Sequence, residues 1–412
     1  MKQHYALPAL LFAFLFAPMA LRAQECSTGR YADEGYFAQI DSTAGVAFGS
    51  NVNLSGQTQV LRMDVYMPHD DTLSSRPVVL VAFGGSFVTG SRADVAPFCE
   101  ELAHLGYVAV AMDYRVGFFL PTQSTTEHAV MRCVHDIKGC IRYLRKTVAE
   151  DGNPYRIDPD RIIVGGVSAG AIGALHVTYM DQPSELPAVL AADSASVGGM
   201  EGNSGSPGYS SDVLACYAFS GAIGDTSWIQ PGDQPWCGVH ESGDPTVPCF
   251  TEEAYAFGIP TGIIISGGHD IHERMSDIGV PNCFLQYEAA QHVGYLTYDP
   301  TYSVDVVLQF LARVVCGSEP IGCPSILVGV EEAPALPTAA LHVYPSPAVD
   351  RVSIDVPHPM TVAVFDLQGR ELMRRTLPQG TAQLDVSALP DGIYVVRSLE
   401  RPTLQARLVK VH

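Results

Sequence analysis

Residues 161–170, Arg-Ile-Ile-Val-Gly-Gly-Val-Ser-Ala-Gly, constrain the fold of this chain more than any other stretch. A β-branched apolar run at 162–164 leads into Gly166-Val167-Ser168-Ala169-Gly170. A strand that ends in Gly-x-Ser-x-Gly predicts a sharp strand-to-helix turn with the serine hydroxyl held out at its apex. The residues two before and two after the serine must be small for the backbones to pass, and Gly166 and Gly170 meet that need. Five residues of this kind also occur by chance in loops, so the surrounding elements decide its meaning.

Those elements alternate. Residues 61–67 switch between apolar and polar and stop at Pro68, as a strand does. The unbroken apolar run 78–83 fits a strand buried on both faces and passes into Gly84-Gly85-Ser86. A helix is predicted over 95–105, then a second buried strand over 107–112 closing on Asp113-Tyr114-Arg115. Val130, Cys133, Ile137, Cys140, Ile141, Leu144 and Val148 recur at helical spacing between 126 and 151. Further strands are predicted at 214–219, 235–240 and 284–288, with a last helix at 304–316. This order predicts an α/β layered domain with a mostly parallel central sheet, whose ligands lie at the carboxyl ends of the strands. Residues 181–212, rich in Gly, Ser and Pro, read as a surface loop, with a flexible cover over the site as the alternative.

A serine hydroxyl is a weak nucleophile at neutral pH, so it needs a base to take its proton and an acid to orient that base. Asp244 follows the strand at 235–240, and His292 follows the strand at 284–288; the chain order Ser168, Asp244, His292 is the one such a layout requires. Glu241, Asp270 and Asp277 are rival acids and His269 and His272 rival bases, but they do not follow strands at the end where Ser168 must lie. His240 and His176 read as structural. Negative charge on a carbonyl oxygen needs N–H donors; the backbones of Gly85 and Ser86, after an early strand, and of Ala169 are the candidates. Phe83, Phe87, Phe118 and Phe119 are candidates for an apolar pocket, although core packing accounts for each equally well.

Composition bounds the setting. The chain is 412 residues long, 47% hydrophobic and 17% charged, which suits a large core plus a smaller module. Residues 1–23 read as a secretory signal, with Lys2 ahead of an apolar stretch too short and too proline-interrupted to span a bilayer. Losing them removes Lys2 and Arg22 and no acid, taking the net charge from −20 to −22. A chain this acidic argues against nucleic acid or anionic membranes as partners. Ten cysteines in an exported chain favour disulfides. Cys133 and Cys140 are about 10 Å apart along a helix, too far to bridge; Cys237–Cys249 and Cys316–Cys323 are suggested by proximity alone. No spacing points to a metal site, and no cofactor is expected. From Gly317 prolines mark a linker, and beyond it alternation at Val352, Ile354 and Val356, with runs at 362–365 and 393–396, predicts a small β sandwich.

Residues 81–90, Asp113-Tyr114-Arg115, the helix with Arg132 and Asp136, residues 158–162, Gly166–Gly170 and Gly243-Asp244, as an ordered set, resemble the α/β-hydrolase superfamily in its carboxylesterase and feruloyl-esterase-like branch. The likeness covers about residues 55–315. It implies an α/β-hydrolase fold and ester hydrolysis by Ser168, Asp244 and His292 through an acyl-enzyme, with Gly85, Ser86 and Ala169 as oxyanion donors. Where that branch commonly has His-Gly-Gly this chain has Phe83-Gly84-Gly85, a change that bears on loop positioning and substrate preference more than on backbone donors. Residues 343–348, 364–370, 384–394 and 408–410 resemble the C-terminal sorting domain of type IX secretion cargo. The implied organisation is a signal at 1–23, a catalytic domain at 24–318, a linker at 319–340 and a sorting domain at 341–412. The implied partners are an ester substrate, small or polysaccharide-linked, and the type IX machinery, with no membrane span and a destination outside the cell or on its surface. A serine peptidase of the prolyl-oligopeptidase type, a non-catalytic surface protein and, for the tail, a sugar-binding sandwich are the competing expectations.

Overall fold

A computed structural model describes residues 25–32, 35–118, 120–191, 198–318, 341–356, 359–366, 370–399 and 405–411. The chain divides into two compact units, 1–328 and 329–412. In the first, the strands are β1 (Ile40–Val52), β2 (Thr58–Pro68), β3 (Arg76–Ala82), β4 (Val108–Met112), β5 (Ile157–Val167), β6 (Ala215–Phe219), β7 (Ala222–Ile223), β8 (Trp236–Glu241), β9 (Thr251–Ala256), β10 (Ile259–Gly267) and β11 (Asn282–Tyr287). Its helices of more than two turns are α1 (Ala96–His104), α2 (Gln123–Glu150), α3 (Ala169–Tyr179), α4 (Gly268–Ile278) and α5 (Pro300–Cys316).

Eight strands form one sheet in the order β1-β2-β4-β3-β5-β6-β8-β11. From β4 to β11 every neighbour is parallel, while β1 and β2 close the other edge antiparallel. β3 and β4 are buried at every residue, which is why their sequences show no alternation: helices cover both faces of a parallel sheet. The register aligns Ala82 with Gly166, Val167 with Phe219, and Glu241 with Tyr287. The loops after β3, β5, β8 and β11 therefore open at one end of the sheet.

The segment 198–212 is not a cover. Ser204 Oγ donates to Asp136 at 2.5 Å, the Ser50 N–H donates to the Ser204 carbonyl, and Arg142 and Lys138 pair with Glu201. These contacts strap it across α2 and β1. Part of the loop expectation, residues 192–197, lies outside the described residues, as do the signal and the linker.

The cysteine expectations need correction. Cys26 is bonded to Cys316, and Cys283 is also disulfide-bonded. Cys237 and Cys249 are free and buried: Cys237 stands at the start of β8 and Cys249 beyond its far end, a separation a strand rise of ~3.3 Å per residue makes too long to bridge. Cys316–Cys323 fails because Cys316 is taken. Cys133 and Cys140 keep free thiols, as the helix rise requires.

The second unit packs two antiparallel sheets, β12 (His342–Tyr344), β13 (Arg351–Val356) and β16 (Gly380–Asp385) in one, and β15 (Glu371–Leu377), β14 (Met360–Phe365), β17 (Gly392–Ser398) and β18 (Gln405–Lys410) in the other. Val352, Ile354, Val362, Val364, Val396 and Leu408 fill the space between them.

Candidate active site

The turn after β5 puts Ser168 at φ 53° and ψ −119°, a conformation L-residues avoid and one that aims a side chain out of a strand-to-helix turn. Its cost is met by a tight fit. A Cβ on Gly166 would lie 2.3 Å from the Ala82 carbonyl oxygen, and one on Gly170 2.2 Å from the same atom. The turn thus packs directly on the end of β3. Ser168 then begins α3, whose first N–H groups, Ala169 among them, have no acceptor within the helix and carry the positive end of its dipole.

The loop after β3 approaches from the other side. A Cβ on Gly84 would meet the Val167 carbonyl oxygen at 3.2 Å and the Ser168 Cβ at 3.4 Å. Gly85, Ser86 and Phe87 all have positive φ, at 119°, 53° and 59°, so their amides turn away from strand pairing. Phe83 does not face the site: its ring is buried, stacked on Tyr114 at 4.1 Å between centroids. The Tyr114 hydroxyl donates to the Phe83 carbonyl at 2.9 Å, and the Gly117 N–H to the Phe87 carbonyl. The pocket expectation thus fails for Phe83, which just past the end of β3 packs into the core against Tyr114; Phe119 lies outside the described residues.

After β8, the Asp244 carboxylate is fully enclosed. Oδ1 accepts from the N–H groups of Thr246 and Val247 at 2.8 and 3.0 Å; Oδ2 lies 2.7 Å from His292 Nδ1 and 3.5 Å from His240 Nε2. Burial alone would raise its pKa, but the hydrogen bonds from His240, His292 and Thr246 outweigh it and hold the carboxyl down to about 2. An ionised Asp244 takes the His292 Nδ1 proton in a hydrogen bond, which leaves Nε2 as an acceptor 2.7 Å from Ser168 Oγ.

His292 rides on the loop after β11, where Val293 is forced to φ 53°. Fully buried Glu241 secures that loop: Oε2 accepts the Gly294 N–H at 3.1 Å and Oε1 the Tyr298 hydroxyl at 2.8 Å. The Asp244 loop leans on the same segment through Ser242 N–H to Tyr287 O and Gly243 N–H to Ala289 O, both 2.8 Å.

Sequence reasoning missed the parts played by Glu241 and His240. Glu241 is no rival to Asp244, because it faces the His292 loop rather than the ring. His240, read as structural, is so in a particular way: it accepts from the Gly268 N–H on Nδ1 and contacts both the Val247 carbonyl and Asp244 through Nε2. Their signal was adjacency, since consecutive strand residues point to opposite sides, but the sequence does not say to what. Three of the other rivals are engaged elsewhere, His269 with Asp270 and His272 with Asn282. Among the described residues, the one group of side chains whose metal-ligating atoms lie within 4.8 Å of one another is His269, Asp270 and Glu273, on α4 and outside the cavity at Ser168.

That cavity, of about 420 Å³, runs from Ser168, Ala169 and Ser86 to a mostly apolar wall that includes Phe87, Phe118, Met131, Ile172, Trp228 and Ile265. His176 joins its lining: burial pushes this imidazole down to about 4, and Nδ1 donates to the Ile172 carbonyl at 2.8 Å, so it is neutral. The hairpin β9–β10, unassigned in the sequence, supplies one side of the cavity.

Residues 63–198 match the family model BD-FAE. That stretch, about a third of the chain, is similar to BD-FAE domains. Its match takes in the loop after β3, Ser168 and α3, but ends before Asp244. Residues 342–409 match the secretion system C-terminal sorting domain, which directs type IX secretion to the cell surface or outside. The chain is 28% identical to a probable carboxylic ester hydrolase, LipM, of Mycobacterium tuberculosis over 134 residues, 32% of this chain and 28% of that protein. It is 30% identical to esterase LipC of the same organism over 139 residues, 32% of each. The chain therefore spans about a third or less of the length of these relatives. Esterase 2 of Thermogutta terrifontis, phosphorylated by paraoxon, superposes with a TM-score of 0.48 at 23% identity, covering 67% of this chain and 95% of that one. Among the described residues no helix is long and apolar enough to cross a membrane.

Proposed function

We propose that this protein is a secreted serine hydrolase of carboxylic esters. The reading rests on one observation: the unbroken line Ser168 Oγ, His292 Nε2, His292 Nδ1, Asp244 Oδ2, with 2.7 Å at each hydrogen bond, beside an apolar cavity. Ser168 Oγ attacks the acyl carbon while its proton passes to His292 Nε2. Asp244 orients the ring and stabilises the imidazolium. The N–H groups of Ala169 and of Gly85 or Ser86 stabilise the oxyanion, each donor contributing about 3 kcal/mol to the transition state. The imidazolium protonates the departing alcohol, forming an acyl-enzyme, and water repeats the sequence with His292 as base to release the acid. The catalytic domain is taken as residues 24–318, the linker as 319–340 and the sorting domain as 341–412, the last recognised by the type IX machinery.

Two assays test this. The parent is expected to hydrolyse p-nitrophenyl acetate and to bind a fluorophosphonate probe covalently, and Ser168→Ala to lose both, with turnover down by roughly 10⁴-fold or more. Equal labelling of Ser168→Ala would remove Ser168 as the nucleophile. Cleavage of a chromogenic peptide without ester turnover would favour the peptidase reading.

A further inference from the structure

The hairpin β9–β10 has more apolar surface than its role as a cavity wall requires. Ala256, Thr261 and Ile265 are buried and line the cavity. Yet Phe257 is 64% exposed, Ile264 58%, Ile259 47% and Tyr255 40%. Tyr255 and Ile264 stand at the rim of that cavity, and Phe257 and Ile259 at the tip. The tip is a two-residue turn, Phe257-Gly258, with φ of 53° and 74°. Such turns favour Asn-Gly or Gly-Gly; a phenylalanine there gives up backbone comfort and leaves an aromatic ring in water. The hairpin is held at its base, where Ser266 and Gly267 pair with Ile223 and Ala222, and β9 is the free edge of its sheet. Four large apolar side chains gathered on one projecting ribbon form an interaction surface rather than scattered exposure.

We infer that the tip of this hairpin and its exposed rim beside the cavity dock on the surface of an uncharged, water-insoluble ester in aggregated form, so that an ester group meets the mouth of the cavity at Ser168. The identification of the occupant rests on the esterase reading above and on two observations. The same ribbon walls the cavity, so whatever it touches is delivered beside the nucleophile. Residues 251–267 contain Glu252 and Glu253 and no lysine or arginine, on a chain of net charge −20. An anionic bilayer is repelled by that surface, whereas a neutral ester phase offers apolar area without an opposing charge.

Full-length Ser168→Ala protein, which cannot consume the phase, is mixed with emulsified tributyrin, and the protein left in the aqueous phase is measured. Adsorption is expected, and the added pair Phe257→Asn and Ile259→Thr is expected to weaken it by about tenfold, the equivalent of part of one buried aromatic side chain. Asparagine tolerates the turn and threonine the strand, so folding is checked by an unchanged Tm; Phe257→Asn alone serves if the pair unfolds. In the active background the pair is expected to keep p-nitrophenyl acetate turnover within about twofold while losing about tenfold on emulsified tributyrin. Equal adsorption with and without the substitutions, or equal losses on soluble and emulsified ester, overturns the inference. So does tighter binding to phosphatidylglycerol vesicles than to the neutral emulsion, or a parent dimer that the pair converts to monomer with adsorption unchanged. Because adsorption is read with Ser168→Ala, failure of the esterase reading appears separately, as a parent inactive on both esters.

Discussion

At the scale of single residues the site is decided by where charge is allowed to rest. The Asp244 carboxylate is enclosed by two backbone N–H groups and the imidazoles of His292 and His240, and it stays ionised down to about pH 2 against an ordinary 3.8. A carboxyl lowered on folding adds stability above its unfolded pKa, and that contribution fades as pH falls from about 4 towards 2. Asp244→Asn is therefore expected to melt below the parent at pH 5 to 7, with the gap in Tm narrowing as pH approaches 2; a gap independent of pH would show that the charge contributes nothing. The same variant is expected to lose roughly 10³- to 10⁴-fold in kcat, because an amide permits the wrong imidazole tautomer. The pairing of Ser168 with His292 was legible in the sequence because chain order and strand ends are visible there. The parts played by Glu241 and His240 were not, for the direction in which each carboxylate or ring points is a tertiary fact.

At the scale of elements, close approach of backbones fixes the turn at Ser168. A methyl group at position 170 would fall 2.2 Å from the Ala82 carbonyl oxygen and 2.5 Å from that of Phe83. Alanine in α3 gains up to ~1 kcal/mol of helix propensity, but overpacking of this kind costs about 1–3 kcal/mol. Gly170→Ala is thus expected to lower Tm and to slow fluorophosphonate labelling by displacing Ser168; a variant as stable and reactive as the parent would mean that β3 yields more readily than this packing implies. The buried strands of the parallel sheet were legible because burial on both faces leaves continuous apolar runs. β1 was not, since its pairing with β2 is interrupted by register shifts at 43–46 and 47–49 around Gly45 and Gly49. The hairpin β9–β10 was hidden for a related reason: Gly258, Pro260 and Gly262 punctuate it like a loop, and only pairing across the turn makes it a ribbon.

At the scale of the molecule, each unit has its own core; the tail's β strands were readable from its alternation and turn residues, and its sorting role only from the resemblance of its motifs. Cysteine pairing was not, because even counting cannot tell a disulfide from a thiol packed as a small apolar group, and six of these cysteines are packed so among the described residues. The Cys26–Cys316 bond closes a span of 290 residues. Loop entropy assigns such a bond a stabilisation on the order of 5 kcal/mol, in a model whose measured returns are often smaller. Cys26→Ser is expected to melt several degrees lower while turnover at 25 °C is kept; an unchanged Tm would mean that the chain without this bond is already constrained. The same bond makes the first unit a covalent ring from residue 26 to residue 316. A protease that cuts anywhere beyond that point shortens the chain without opening the circle, so the molecule can shed its address after delivery and lose none of the restraint that holds its last helix in place.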